Sequence, residues 1–347
     1  MSAATDIVVL VVTIMGLGVV AQILADRLKV PSVLFLILAG VAVGPEGLAI
    51  VDPAAFGDAL PAIVGLSVAI IVFEGAFHLH LDRLREAPQE TVRLVTIGAL
   101  ISFVGTAVAV RFALGTSWGL AFLIGALLVA TGPTVITPIV DIVPVRERVA
   151  TTLETEGVVN DVTAAILAIV TFEYVVLEDT TVLTLGTEFA LRFGVGIGAG
   201  LAVAGVVWYV LRNVDLSAEN APQNARLLVL MAALASYGLA EGVAVQVDAA
   251  EAGIAAVATA GFVLGNAEIP YREEIERFKG DITLLVLSFV FITLAALLSV
   301  ETLLGLGLGG LLVALVVAGV LRPLVVLLAT AGERFTFRER LFLGAIG

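Results

Sequence analysis

The chain has 347 residues, 60% of them apolar and 14% charged, with a net charge of −13 and a mean hydropathy of +1.12. A soluble domain is about 45–50% apolar and about 25% charged, so this composition belongs to a polytopic membrane protein. The absence of cysteine excludes disulfides, thiolate metal sites and thiol chemistry, and an acidic chain with two lysines, Lys29 and Lys279, excludes nucleic acid as a partner.

Apolar runs of about 20 residues, enough to cross ~30 Å of hydrocarbon, recur along the chain. They predict eleven spans, at roughly 7–25, 30–50, 58–78, 91–111, 117–140, 149–177, 184–211, 225–246, 249–266, 281–299 and 302–331. A twelfth apolar segment opens at Leu341 and stops at Gly347, which predicts a membrane part cut short at its C-terminus. The predicted fold class is therefore an all-α polytopic membrane protein, with about eleven transmembrane helices plus the start of another. Fifteen of the eighteen basic residues fall in the loops after odd-numbered spans; Arg111, Arg192 and Arg322 are the others. The positive-inside rule then puts the N-terminus outside and the odd-numbered loops in the cytoplasm. A six-helix unit beginning at span 8 would be inverted relative to spans 1–6, an arrangement found in many secondary transporters.

Within the spans, ionisable groups are the exceptions to be explained, because each costs roughly 2.5–3.5 kcal/mol at mid-membrane. Glu74, in Val72-Phe73-Glu74-Gly75 of span 3, reads either as a second cation ligand or gate, or as a carboxylate that reaches water at the inner interface. Span 5 contains Ala130-Thr131-Gly132-Pro133-Thr134. Pro133 removes a helical donor, so the segment reads either as a broken helix offering free carbonyls and threonine hydroxyls to a cation, or as a plain proline kink. Span 6 carries Glu154, Glu156, Asn160 and Asp161; Glu156 and Asn160, four apart, share a helix face. Asp161 lies too deep to reach the interface easily; it reads either as a structural ion pair or as a desolvated aspartate that alternates between a proton and a cation near neutral pH. Gly194, Gly196, Gly198 and Gly200 in span 7 predict close helix packing. Arg322, followed by Pro323 in span 11, needs a buried partner, and Glu156 is the candidate for a structural ion pair.

These pieces resemble the cation–proton antiporter superfamily, in particular its NhaP-like sodium/proton exchanger branch. The matching stretches are Phe73-Glu74-Gly75, Ala130 to Thr134, Glu156-x-x-x-Asn160-Asp161, Gly261 to Asn266, Arg272 to Lys279 and Arg322-Pro323, collinear over nearly the whole chain. The resemblance implies an inverted-repeat antiporter fold with a discontinuous helix, and a transport core that moves against a flatter, dimer-forming scaffold. It implies that Asp161 is the shared site for H+ and a transported Na+ or K+, with Asn160 beside it and with Glu74 and Thr131 coordinating or gating the ion. It also implies that Glu156 and Arg322 form a stabilising pair. The domains expected from it are scaffold spans in 1–90, core spans in 91–178, a linker span in 179–224, scaffold spans in 225–300, and a core helix with the start of another in 301–347. Where many relatives carry an acid and a serine, this chain has Gly132 and Gly157. Two oxygen ligands are thereby absent, which leaves both Na+ and K+ open.

The implied activity is secondary antiport of a monovalent cation against H+ by alternating access in the cell membrane. It needs no enzyme chemistry and no cofactor, it serves cation homeostasis and pH regulation, and the unit in the lipid bilayer is a homodimer. In some relatives a soluble, nucleotide-binding regulatory domain follows the membrane part; this chain shows none. A gated cation channel or, with less support, an intramembrane aspartyl protease are the competing readings. The first calls for rings of carbonyls or carboxylates, and the second for a pair of apposed aspartates.

Overall fold

The computed structural model describes residues 3–79, 81, 89–131, 136, 139–140, 143, 145–176, 182–214, 220–246 and 252–346. Among them every regular element is helical, as a chain in hydrocarbon requires, since an unpaired backbone group there has no water to bond. The helices are α1 (Ala3–Leu28), α2 (Ser32–Val43), α3 (Leu60–Phe77), α4 (Gln89–Leu114), α5 (Trp118–Leu127), α6 (Glu147–Val176), α7 (Val182–Asn213), α8 (Ala221–Ala244), α9 (Gly253–Asn266), α10 (Arg272–Ala296), α11 (Gly307–Ala329) and α12 (Phe337–Ile346).

Among the described residues, seven stretches are long and apolar enough to cross a membrane: Ile7–Leu28, Pro53–Phe77, Gln89–Leu114, Ala190–Asn213, Ala221–Ala244, Arg272–Ala296 and Gly307–Ala329. Helix α6, with 30 residues, is about 45 Å long at 1.5 Å per residue. Three expected spans are shorter helices instead: α2 has 12 residues, α5 has 10 and α9 has 14. The reason is local. In α2 the apolar run continues to Val51, but Gly44 turns extended ahead of Pro45 and ends the helix. In α5, which Ser117 caps through the Leu120 N–H at 3.3 Å, the helix stops at Leu127, before Thr131. Helix α10 differs in the opposite direction. It begins at Arg272, so Lys279, counted above among loop cations, lies two turns inside a helix.

The chain divides into two compact units, 1–78 with 191–303 and 79–190 with 304–347. In the first unit, Phe73 and Phe77 of α3 pack with Val207 and Leu211 of α7, Val229 of α8, Leu264 of α9 and Ile275 of α10. A second cluster joins Leu10 and Ile14 of α1 to Leu36 of α2 and Phe289 and Ile292 of α10. Hydrophobicity does not drive helices together in lipid, so close backbone approach carries more of the association. Gly261 of α9 faces the Phe73 carbonyl so closely that an added Cβ would stand 2.6 Å from that oxygen, and Gly265 one turn on faces the Phe77 carbonyl closer still. These two glycines fix α9 against the stretch of α3 that carries Glu74. In the second unit, Leu94 of α4, Val149 and Leu153 of α6, Val325 and Val326 of α11 and Leu343 of α12 form the core.

Two π-helical turns interrupt the second unit's helices, at Leu94–Gly98 in α4 and Val317–Leu321 in α11. The latter has a covalent cause. Pro323 has no N–H for the carbonyl of Gly319, and the extra residue of the π turn absorbs the gap and aims the following Arg322 inward. Large apolar side chains elsewhere face outward, Leu308 being 85% exposed, as a surface solvated by lipid tails requires.

Candidate functional site

The second unit holds a buried polar group on α6 and α11. On α6, Glu156 is fully buried, and one turn later Asn160 is 3% exposed. Arg322 of α11 donates from Nη1 to Glu156 Oε1 and from Nη2 to Oε2 at 2.7 Å, and Nη2 also donates to the Leu343 carbonyl of α12 at 3.2 Å. The guanidinium fork thus ties three helices at once, with the planar two-point geometry that arginine supplies and lysine does not. Asn160 Nδ2 donates to Glu156 Oε1 and to Thr131 Oγ1, both at 3.4 Å. Its carbonyl oxygen Oδ1 is buried and accepts no hydrogen bond among the described residues. A buried acceptor of this kind is costly unless something positive meets it.

Asp161 continues the backbone of α6 directly after Asn160; its side chain lies outside the described residues, as do Gly132, Pro133 and Thr134. The structure therefore brings Thr131, Asn160, Glu156 and Arg322 into one cluster. Because Glu156 is matched by Arg322, it contributes no free negative charge there.

Glu74 belongs to the first unit and has partners of its own. Its Oε1 meets His78 Nε2 at 2.8 Å and its Oε2 accepts from Lys279 Nζ at 2.7 Å. Lys279 is 4% exposed, and its ammonium sits 3.7 Å from the Phe77 ring centroid, a favourable cation–π position. Sequence reasoning missed this partner because the polar first turns of α10 read as a loop. Arg272, at the start of α10, donates to the Ala267 carbonyl at 3.2 Å and to that of Gly265, satisfying the open end of α9.

A second ionic group in the same unit as α6 also escaped the sequence. Arg148 at the start of α6 donates to Glu90 of α4 and, at 3.0 Å, to Glu333 in the segment before α12, and its guanidinium lies 5.0 Å from the Phe335 ring centroid. Nearby, Arg146 makes a two-point pair with Glu339. Glu339 closes a capping box on α12: its Oε2 accepts from the Thr336 N–H at 2.7 Å, and its own N–H donates to Thr336 Oγ1 at 3.3 Å. Hydrogen bonds from Arg146 hold the Glu339 carboxyl down to about 2. The signal for this cap is the Thr336-x-x-Glu339 spacing before the last apolar stretch.

Comparison with known proteins agrees in both sequence and fold. The sequence profile of the family "Sodium/hydrogen exchanger, transmembrane" matches residues 9–347. The K(+)/H(+) antiporter NhaP of Alkalimonas amylolytica is 28% identical over a 357-residue alignment covering 99% of this chain and 58% of that protein. The Na(+)/H(+) antiporter 1 of Methanocaldococcus jannaschii is 27% identical over 346 residues, 95% of this chain and 78% of that one. The solved structure of the sodium proton antiporter MjNhaP1 from the same archaeon superposes with a TM-score of 0.81 at 25% identity, covering 99% of this chain and 85% of that one. This chain thus spans little more than half of the Alkalimonas relative. With the family profile running from Val9 to the last residue and the helices superposing on a solved antiporter, the chain belongs to the transmembrane sodium/hydrogen exchanger family.

Proposed function

We propose that this protein exchanges a monovalent cation, Na+ or K+, for H+ across the cell membrane by alternating access, and that Asp161 is the group both ions share. The observation that carries the reading is the buried Asn160 carbonyl oxygen, which has no donor among the described residues and stands one residue from Asp161. A desolvated carboxylate beside an unused amide oxygen and the Thr131 hydroxyl is an oxygen shell of the kind hard monovalent cations take. The relatives named as Na(+)/H(+) and K(+)/H(+) antiporters support the same activity.

Coupling follows from charge. Glu156 is neutralised by Arg322, which leaves Asp161 to supply the site's negative charge. A cation and a proton cannot both sit on one desolvated carboxylate without placing a net positive charge in low dielectric. One displaces the other, and the gradient of either drives the other without ATP. In this reading Glu74 acts as a gating group rather than a standing ligand, since Lys279 and His78 hold both of its oxygens. The unit containing α6 and α11 is the moving core, and the unit containing α3, α9 and α10 the scaffold of a homodimer. About eleven spans, an inverted repeat and a discontinuous helix after α5 complete the fold, with the N-terminus outside.

The test is cation-driven proton flux in proteoliposomes, with native protein and Asp161→Asn compared under Na+ and then K+. Native protein is expected to dissipate an imposed pH gradient with at least one ion, saturably, and the variant is expected not to. Exchange that survives Asp161→Asn removes Asp161 from the mechanism.

A further inference from the structure

Lys279 is one of two lysines in the chain, and it is buried two turns inside α10 although a lysine stem could carry its charge to an interface. Its ammonium contacts Glu74 Oε2 at 2.7 Å and faces the Phe77 ring. Beside the pair lies a cavity of about 10 Å³, bounded by Glu74, Lys279 and Thr283 among the apolar side chains of Ile70, Phe73 and Leu230. That is about the smallest space that admits one water molecule. Thr283 Oγ1, on a residue 7% exposed, has no hydrogen-bond partner among the described residues. The Glu74 carboxylate, the Thr283 hydroxyl and the Lys279 side chain thus line one small cavity, with the Phe77 ring against the ammonium.

We propose that Lys279 is a built-in cation, and that the Glu74–Thr283 pocket binds a monovalent metal cation once that ammonium is removed. Lys279 is in this sense a specificity-determining residue. It keeps the first unit's carboxylate closed to the transported ion, so that each protomer offers the ion a single site. The inference rests on the reading of Asp161 as that site. It has its own chemistry: the ammonium is a compact point charge on a flexible stem, of the same charge as Na+ or K+, and it supplies its own counter-charge to Glu74 at no cost in bound ion.

The test is thermal unfolding of the purified protein in NaCl, KCl and choline chloride at equal ionic strength, in an Asp161→Asn background that silences the transport site. Asp161→Asn alone is expected to unfold at one temperature in all three salts. Asp161→Asn/Lys279→Met is expected to gain a saturable rise of about 2–4 °C in Na+ or K+ over choline, at ion concentrations some ten times the dissociation constant. Adding Glu74→Gln is expected to abolish that gain. A Lys279→Met protein indifferent to the metal cation overturns the proposal. If Lys279→Met folds poorly, Na+ or K+ but not choline must restore it, as must Glu74→Gln; a failure rescued by neither makes Lys279 a packing residue and also overturns the proposal. Salt dependence already present in Asp161→Asn alone faults the transport-site reading instead, because the inference is read only from the difference that Lys279→Met adds.

Discussion

Replacing Arg322 by methionine removes a guanidinium while nearly keeping its volume, and the structure sets the size of the loss. Arg322→Met strands a carboxylate that is fully buried and that takes two charge-assisted hydrogen bonds from Arg322. It also leaves the Leu343 carbonyl without its donor. Breaking a buried ion pair from one side costs about 3–5 kcal/mol, whereas replacing both members with neutral groups is often close to neutral. At about 2–4 °C per kcal/mol, Arg322→Met lowers Tm by roughly 6–20 °C, and Glu156→Gln/Arg322→Met recovers most of that. The assay is thermal unfolding in detergent across the full double-mutant cycle, with hydrogen exchange over 337–346 as the local readout, since α12 loses its tie to α11. Two results refute the reasoning: a single mutant as stable as native protein, or a double mutant whose loss equals the sum of the singles. Either would mean that Arg322 and Glu156 do not act as one buried unit.

Other consequences can be checked with the same methods. The Glu339 carboxyl, held down to about 2 by Arg146 against an ordinary 4.5, favours the folded state above about pH 4.5, and that contribution is lost as pH falls toward 2. The exchange protection of α12, relative to the intrinsic rate at each pH, should therefore fall between pH 5 and pH 3 in native protein and stay flat in Glu339→Gln; identical profiles would remove the pair from the account. Gly261→Ala drives a Cβ to 2.6 Å from the Phe73 carbonyl oxygen and should cost about 1–3 kcal/mol. By contrast Gly238→Ala in α8, where a Cβ meets nothing within 4 Å, should gain up to about 1 kcal/mol from helix propensity; equal effects of the two would show that α3 and α9 do not meet at Gly261. Thr336→Ala removes the cap of α12 and should lower its local stability by about 1 kcal/mol, measured as exchange protection.

The sequence speaks most clearly where burial makes a residue expensive. An arginine in an apolar run must be matched, and Arg322 lies against Glu156, 166 positions away, a separation across which only the cost of the charge is informative. The glycine stripe of α7 is legible by spacing, and half of it packs: a Cβ on Gly196 or Gly200 would stand within 3 Å of the carbonyl of Ala252 or Ala256, while Gly194 and Gly198 meet nothing within 4 Å. What hides is amphipathic helix. The first two turns of α10, Arg272 to Lys279, are rich in charge, and hydropathy cannot separate a polar helix turn from a loop. Hydropathy accordingly starts that span near Asp281 and leaves Lys279 in the loop before it. Helix α2 fails in the reverse sense: hydropathy stays high from Ser32 to Val51, while Gly44-Pro45 stops the helix after 12 residues. The π turns at Leu94–Gly98 and Val317–Leu321 leave no periodic trace of their own, and only Pro323 gives a covalent reason to expect one.

The pairing of acids also bears on which of them can carry an ion. An exchanger's site must lose its bound cation in every cycle, and a carboxylate with a permanent protein cation cannot. Glu156 has Arg322, Glu90 and Glu333 share Arg148, Glu339 has Arg146, and Glu74 has Lys279. Each of these pairs lies within one unit, so none of them has to break in the proposed alternating-access motion. Together they tie the helices of each unit, and in the proposed mechanism none of them is the ion's standing ligand. Among the described side chains of α6, the buried oxygen that stays unmatched is Asn160 Oδ1, next to Asp161. In the proposed mechanism, that oxygen and the neighbouring Asp161 carboxylate are where a mobile cation binds.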